Sequence, residues 1–223
     1  MILRKVCCEG FMKIAAIEMT TACDPEVNMP IINTGVRAAA MAGAEMVALP
    51  ETCIFMEKGS KAMRQRLTRE AENPHLAGLC ALADELSIWL LIGSMVLADR
   101  DMPVNRSLLI DPNGQVVARY DKIHMFDVTL ENGETHQESA HYQAGDMAVL
   151  ASMGAVQLGL SICYDVRFPN LYRRLAQAGA HLISVPSAFT QQPVLLIGMF
   201  YCARAPLKPA VTSSLRHKSA NMK

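Results

Sequence analysis

The chain has 223 residues, enough for one domain with a sizeable core. Lys plus Arg and Asp plus Glu are both 21, so net charge favours neither nucleic acid nor an anionic membrane surface. No apolar run reaches the length of about 18 residues that a membrane span needs, and the seven cysteines lack the paired spacing of a disulfide framework or a zinc site.

In chain order, residues 1–8 are too short and too poorly ordered in pattern for a signal peptide. With the unpaired cysteines this predicts a reduced, cytoplasmic protein. Met12 to Met19 is the first convincing strand, so residues 1–11 read as an extension, with Met12 an alternative start. Asp24 or Asn28 caps a helix expected over about Ile31 to Met41, and Gly43 ends it. An apolar strand, Met46-Val47-Ala48-Leu49, then runs into Pro50-Glu51. Strand, helix and strand make a βαβ unit with neighbouring parallel strands.

Lys58 to Glu72 is rich in charge and reads as a solvated, partly helical face near a pocket mouth. Asn73-Pro74 has the pattern of N-cap and first helical position, for a helix through Leu86. Leu76, Leu79, Cys80, Ala83 and Leu86 form its apolar stripe, which makes Cys80 a core residue. Trp89 to Val96 is a buried strand. Ser107 to Ile110 and Gln115 to Ala118 flank Asp111-Pro112-Asn113-Gly114, a strong hairpin signal. The second hairpin strand runs into Tyr120-Asp121-Lys122-Ile123-His124. Asp127 to Asp146 is polar, with Gly133 and Gly145, and reads as a long functional loop. His124, His136 and His141 have no common metal-site spacing; His124 is expected to support Lys122 by hydrogen bonding.

Ala155 to Ile162 alternates like a strand and ends in Cys163-Tyr164-Asp165-Val166-Arg167-Phe168-Pro169. Asn170 to Ala178 is helical, Gly179 is its C-cap, and His181 to Pro186 is another strand. A cysteine ending a core strand is often only a buried small residue, and a lone Glu or Lys at a strand end is usually a rim charge. Three strand ends carrying Glu51, Lys122 and Cys163 form a chemical set instead. The carboxylate takes the thiol proton, the lysine lowers the thiol pKa and holds an oxyanion, and the thiolate attacks a carbonyl carbon.

At these residues the chain resembles the nitrilase, or carbon–nitrogen hydrolase, superfamily. The matching segments are Leu49-Pro50-Glu51, Tyr120 to Asp127, and Ile162 to Pro169. The run from Lys122 to Asp127, His136-Gln137-Glu138-Ser139 and Pro186-Ser187-Ala188-Phe189 resemble its Nit-type branch of omega-amidases and deaminated glutathione amidases. The resemblance covers about Met12 to Thr190. It implies an α/β fold, a four-layer α-β-β-α sandwich, C-terminally incomplete here. It implies hydrolysis of a non-peptide C–N bond, a primary amide of a small carboxylate, through a Cys163 thioester. Glu51 acts as base and acid, and Lys122 with the Tyr164 backbone N–H holds the oxyanion. Glu138 is a second carboxylate positioning Lys122 and the amide. Phe126 and Tyr164 line the substrate pocket, and Arg167 either binds the substrate carboxylate or pairs with Asp165. No cofactor is needed. The expected partner is a small amide, with no nucleic acid and no membrane, and the family's members usually form homodimers or higher oligomers.

The resemblance breaks after Thr190, where the family continues through Gly-Pro-Ala-His-Trp and Arg-Ala-Arg-Ala motifs. Codons for Pro193 to Met199 can be chosen that, read in another frame, give Gly-Pro-Ala-His-Trp-Asp, and Phe200 to Leu207 can likewise give Val-Leu-Leu-Arg-Ala-Arg-Ala-Ile. The expected organisation is therefore an extension at 1–11, an incomplete hydrolase domain at 12–192, and a frameshifted tail at 193–223 with no selected hydrophobic pattern. The alternatives are a non-catalytic remnant or an assembly subunit of the same fold.

Overall fold

The computed structural model describes residues 2–8, 12–57, 60–129, 133, 135–188 and 199–202. Among these, a six-stranded sheet has the order β1-β2-β3-β4-β5-β6. Its strands are β1 (Ile2–Cys8), β2 (Met12–Glu18), β3 (Met46–Ala48), β4 (Trp89–Leu97), β5 (Val104–Ile110) and β6 (Val116–Asp121). Helix α1 (Pro25–Met41) links β2 to the parallel β3, completing the expected βαβ unit. Helices α2 (Ser60–Arg66) and α3 (Pro74–Leu86) lie between β3 and β4. Residues 2–8 pair antiparallel with β2, so the segment read as an extension adds an edge strand to this sheet.

Helix α1 starts at Pro25, ahead of the expected Ile31. Asp24 accepts from Glu26 N at 3.2 Å and Pro25 supplies a preset φ in the first turn. Asn28 is not a cap. It is fully buried and bridges Ala22 N, Ala22 O and Ile54 O, each at 2.9 Å. Helix α3 begins as expected, with the Asn73 side chain accepting from Leu76 N at 2.8 Å. The Asp111 to Gly114 turn also forms as expected: Asp111 N donates to Gln115 O at 2.9 Å, and Gly114 takes φ 71°.

The two-residue period of the strands sorts the sheet into two faces. Ala15, Ile17, Val47, Leu90, Ile92, Leu108 and Ile110 pack against Ile32 and Val36 of α1 and Leu76 and Leu79 of α3. The alternate residues Ile14, Met46, Leu91, Leu109 and Tyr120 pack toward a second sheet. That sheet has the order β12-β11-β10-β9. Its strands are β9 (Val149–Met153), β10 (Val156–Leu160), β11 (Leu182–Val185) and β12 (Met199–Cys202). Helix α4 (Pro169–Gln177) covers its outer face through Leu171 and Leu175. A Cβ on Gly159 would meet Leu175 at 3.1 Å, which fixes how closely α4 lies. The result is the helix–sheet–sheet–helix sandwich.

The described residues among 127–146 hold regular elements where a loop was expected. Within them β7 (Asp127–Thr129) and β8 (Thr135–Gln137) pair antiparallel, and a 3₁₀ turn at Glu138–Ala140 follows. The expectation for residues 193–223 lies outside the described residues except at β12, which pairs antiparallel with β11.

One close approach decides where the β3 exit runs. A Cβ on Gly93 would lie 2.1 Å from Leu49 O and 2.5 Å from Pro50 O. Only glycine lets the residues leading to Glu51 lie flat on β4. The neighbouring β4–β5 register shifts between Ile92 and Met95, which turns Ser94 toward that segment. Gly93→Ala is expected to lower stability by about 1–3 kcal/mol through overpacking, and the melting temperature by several degrees. Gly78→Ala, on α3 with nothing within 4 Å of the added Cβ, is expected to raise stability by about 0.5–1 kcal/mol. Thermal unfolding of both variants checks the pair; equal shifts would show that Gly93 does not carry the close contact.

Candidate active site

Glu51 follows β3 in a short turn held by β4. Ser94 N donates to Pro50 O at 3.2 Å, Cys53 N to Ser94 O at 3.1 Å, and Thr52 N to Ser94 Oγ at 2.8 Å. Thr52 takes φ 48°, an uncommon conformation for a β-branched residue, which this bonding enforces. The Glu51 side chain is 6% exposed. Its Oε2 accepts from Ala188 N at 2.9 Å, and its Oε1 accepts from Asn105 Nδ2 and Lys122 Nζ, both at 3.1 Å.

Lys122 follows β6 by one residue. It shares the parity of Tyr120 and so faces the second sheet. Its backbone N donates to Asn105 O at 2.9 Å, and Gly145 N donates to its carbonyl at 2.8 Å. A Cβ on Gly145 would meet Asp121 O at 2.2 Å, so the chain crosses here at backbone contact. The Lys122 ammonium is 2% exposed and lies 3.0 and 2.9 Å from the two carboxylate oxygens of Glu138. Glu138 is held in turn by Phe126 N at 2.6 Å. Burial alone would lower the Lys122 pKa; the charges of Glu51 and then Glu138 outweigh it and raise the pKa above the usual lysine range. The ammonium therefore stays charged.

On the opposite face of the same strands, Arg106 bonds Asp121 at 2.6 and 3.1 Å and Glu70 at 2.8 Å, and also meets Asp99. This partly buried network clamps β5 to β6 directly behind Asn105 and Lys122. The described residues of the Lys58 to Glu72 stretch form the expected partly helical, largely exposed face, from which Glu70 is drawn in by Arg106 and Arg119.

Cys163 ends the β10 strand segment in the left-handed region, φ 45°, with its N donating to Pro186 O at 2.8 Å. The turn is locked by Asp165, which is fully buried. Asp165 accepts from Ile162 N at 2.8 Å, Tyr120 Oη at 2.7 Å and His124 N at 3.0 Å, and meets His124 Nδ1 at 2.7 Å. Tyr120 and His124 flank Lys122 by two residues on each side. One carboxylate thus ties the Cys163 turn to the Lys122 strand.

Glu51, Lys122, Glu138, Cys163 and Phe126 line one cavity of about 540 Å³, within the usual range for a small-molecule site. Tyr164 is not among its lining; its ring packs edge-on against Phe126 at 5.1 Å and Phe168 at 5.6 Å, behind the wall. Arg167 is exposed and does not line the cavity. Both readings of Arg167 are corrected: it faces solvent, and among the described residues no ion pair joins it to Asp165, whose oxygens serve Tyr120, His124 and the turn. His124 acts on the Lys122 segment at one remove: its ring bonds Asp165, which also accepts from Tyr120, and stacks on Phe168 at 3.7 Å.

The thiol itself departs from expectation. Burial pushes the Cys163 pKa up, Glu51 pushes it further, and Lys122 lowers it by less, leaving it at about 12. Burial and then Glu51 outweigh the lysine, so the resting group is a thiol. Asn105 and Thr52 also line the cavity and were missed in the sequence. A signal existed for Asn105, a polar residue on a strand face otherwise carrying Ser107 and Leu109.

The sequence matches the carbon–nitrogen hydrolase family model over residues 13–207. It is 37% identical over 181 residues to a deaminated glutathione amidase of Synechocystis sp., covering 79% of this chain and 66% of that protein. It is 32% identical over 177 residues to an omega-amidase of Homo sapiens, covering 79% of this chain and 63% of that one. The chain thus spans less than two thirds of the length of these relatives. The fold is similar to that of the amidase from Nesterenkonia sp. AN1, with TM-score 0.70 and 26% identity over 82% of this chain and 69% of that chain. One structure of a variant of that amidase carries acrylamide added at its active site cysteine.

With Cys163 partly exposed to the cavity but its pKa raised to about 12, Cys53 buried and also raised to about 12, and Cys23 exposed, iodoacetamide at neutral pH is expected to label Cys23 before either. Glu51→Gln should lower the Cys163 pKa and Lys122→Met should raise it. Ultraviolet thiolate absorbance titrated against pH, with Cys163→Ala as the blank, checks the signs. Folded Cys163 binds its proton more tightly than an unfolded cysteine at 9.0, so its contribution to stability is lost as pH rises from about 9 toward about 12.

Proposed function

The chain belongs to the carbon–nitrogen hydrolase family, and on that premise we propose that it hydrolyses a primary amide of a small carboxylate, releasing ammonia through a thioester on Cys163. The observation that carries this is a buried ammonium, Lys122, bonded to two carboxylates, Glu51 and Glu138, in the same cavity as a cysteine held in a left-handed turn. The relatives named as amidases support the amide as substrate.

Glu51 accepts the Sγ proton as Sγ attacks the amide carbon, and the carbonyl electron pair moves onto oxygen. A resting thiol near pKa 12 needs such a base, because few thiolates exist at neutral pH. Lys122 has three N–H groups; Glu51 and Glu138 engage two, and the third meets the oxyanion. The C–N bond then breaks with its electron pair on nitrogen, which takes the proton back from Glu51 and leaves as ammonia. Water gives a proton to Glu51 and attacks the thioester; the C–S bond breaks, and sulfur recovers the proton. Atoms balance as amide plus water to acid plus ammonia. Glu138 fixes Lys122 and, through the Phe126 N–H, the wall beside the substrate.

Ammonia release from a panel of small primary amides, with and without a second carboxylate, tests the reading. Glu51→Gln should lose roughly 10²–10⁴-fold in kcat, the usual worth of a general base. Cys163→Ala should release none and keep its melting temperature, because alanine nearly fills the space and removes no charge. Intact-mass detection of an acyl adduct on the unmodified chain is the expected companion result. Ammonia release that survives Cys163→Ala would overturn the mechanism.

A further inference from the structure

Two side-chain oxygens flank Glu51 with no use in the chemistry so far. Asn105 is 2% exposed, lines the cavity, and gives its Nδ2 to Glu51 Oε1. Its Oδ1 is buried and has no hydrogen-bond partner among the described residues. Turning the amide over would set Oδ1 against Glu51 Oε1, acceptor on acceptor, so the orientation is fixed. Thr52, the residue after Glu51, also lines the cavity, and its buried Oγ1 likewise has no partner among the described residues. Burying such groups costs free energy unless something bonds them.

Resting on the proposed amide hydrolysis, we propose that Asn105 Oδ1 and Thr52 Oγ1 form the receiving site for the substrate's amide nitrogen, accepting its two N–H groups while Glu51 delivers the proton. An amide Oδ1 can only accept, so it repels the carbonyl oxygen, which goes to Lys122. The donors a primary amide offers are the hydrogens of its –NH2. The same two acceptors hold ammonia as the C–N bond breaks. Afterwards they hold the attacking water, since attack on the thioester retraces the path of the leaving group. Asn105 thereby does two things with one planar group: it orients the Glu51 carboxylate at one end and the leaving nitrogen at the other. The site discriminates by leaving group, favouring –NH2 over an alkoxide that brings no hydrogen.

The test compares kcat/KM for a primary amide and for the methyl ester of the same acid, in the full chain. Asn105→Leu keeps the size and removes the acceptor; Thr52→Val keeps the β-branched shape and removes the hydroxyl; Thr52→Ser keeps the hydroxyl. Loss of folded protein lowers amide and ester rates alike. Because Asn105→Leu also frees Glu51, whose proton the amide nitrogen needs more than the alkoxide does, the Thr52→Val and Thr52→Ser pair, which leaves the Asn105–Glu51 bond in place, isolates the nitrogen contact. The amide-to-ester ratio should fall about 5–10-fold in Asn105→Leu and in Thr52→Val, the worth of about one hydrogen bond, and stay at the wild-type value in Thr52→Ser. An unchanged ratio in Asn105→Leu and Thr52→Val overturns the assignment while leaving the amidase reading intact. A wild-type chain that releases neither ammonia nor methanol overturns the amidase reading, and this inference with it.

Discussion

The site is organised by a single buried cation. Lys122 lies between Glu51 and Glu138 with almost no exposure, and a charge in that position is tolerable only while both partners stay in place. Removing one partner from such a cluster costs about 3–5 kcal/mol, because the remaining charges are left unpaired. Two carboxylates against one ammonium leave an excess of negative charge. Burial, and then the charge of Glu51, hold Cys163 as a thiol; in the proposed mechanism Glu51 accepts its proton.

The constraint propagates into the scaffold. Lys122 can reach Glu51 only if β6 keeps its register on β5, and the Arg106 network on the far face enforces that register. Cys163 can face Lys122 only if its turn is tied to the same strand, which Asp165 does through Tyr120 and His124. Glu51 can lie between them only because Gly93 lets the β3 exit touch the β4 backbone. The first two supports use polar groups with their hydrogen bonds made and the third a backbone contact, so the site is stiff where the proposed chemistry needs fixed distances. The β7–β8 hairpin completes it, delivering Glu138 and Phe126 from a segment whose composition alone reads as loop.

Among the described residues, two oxygens beside Glu51 have no hydrogen-bond partner. Folded chains rarely carry such groups without a reason. On the proposed mechanism, their position next to Glu51 ties leaving-group choice to the same carboxylate that activates the thiol. Specificity and acid–base chemistry then share one hinge of structure, the turn from Pro50 to Cys53 against β4 and β5.

Much of this was legible in the residues themselves. Alternating apolar positions, the Asn73-Pro74 cap, the Asp111 to Gly114 turn and Gly179 after α4 are local signals, and local bonding sufficed to realise them. Glu51, Lys122 and Cys163 at three strand ends were equally visible, because strand ends in an α/β fold gather at one edge. The pairwise balance of charges was not legible, since it depends on distances between segments far apart in sequence. From residue types alone Lys122 should have lowered the Cys163 pKa; only folding brings Glu138 to share that lysine and buries the thiol. Arg167 and Asp165, two residues apart, look like a pair in the sequence. The fold turns Asp165 inward to lock the Cys163 turn and leaves Arg167 in solvent. Asn105 and Gly93 sit in ordinary strands, and tertiary packing alone sets one against Glu51 and the other under its backbone.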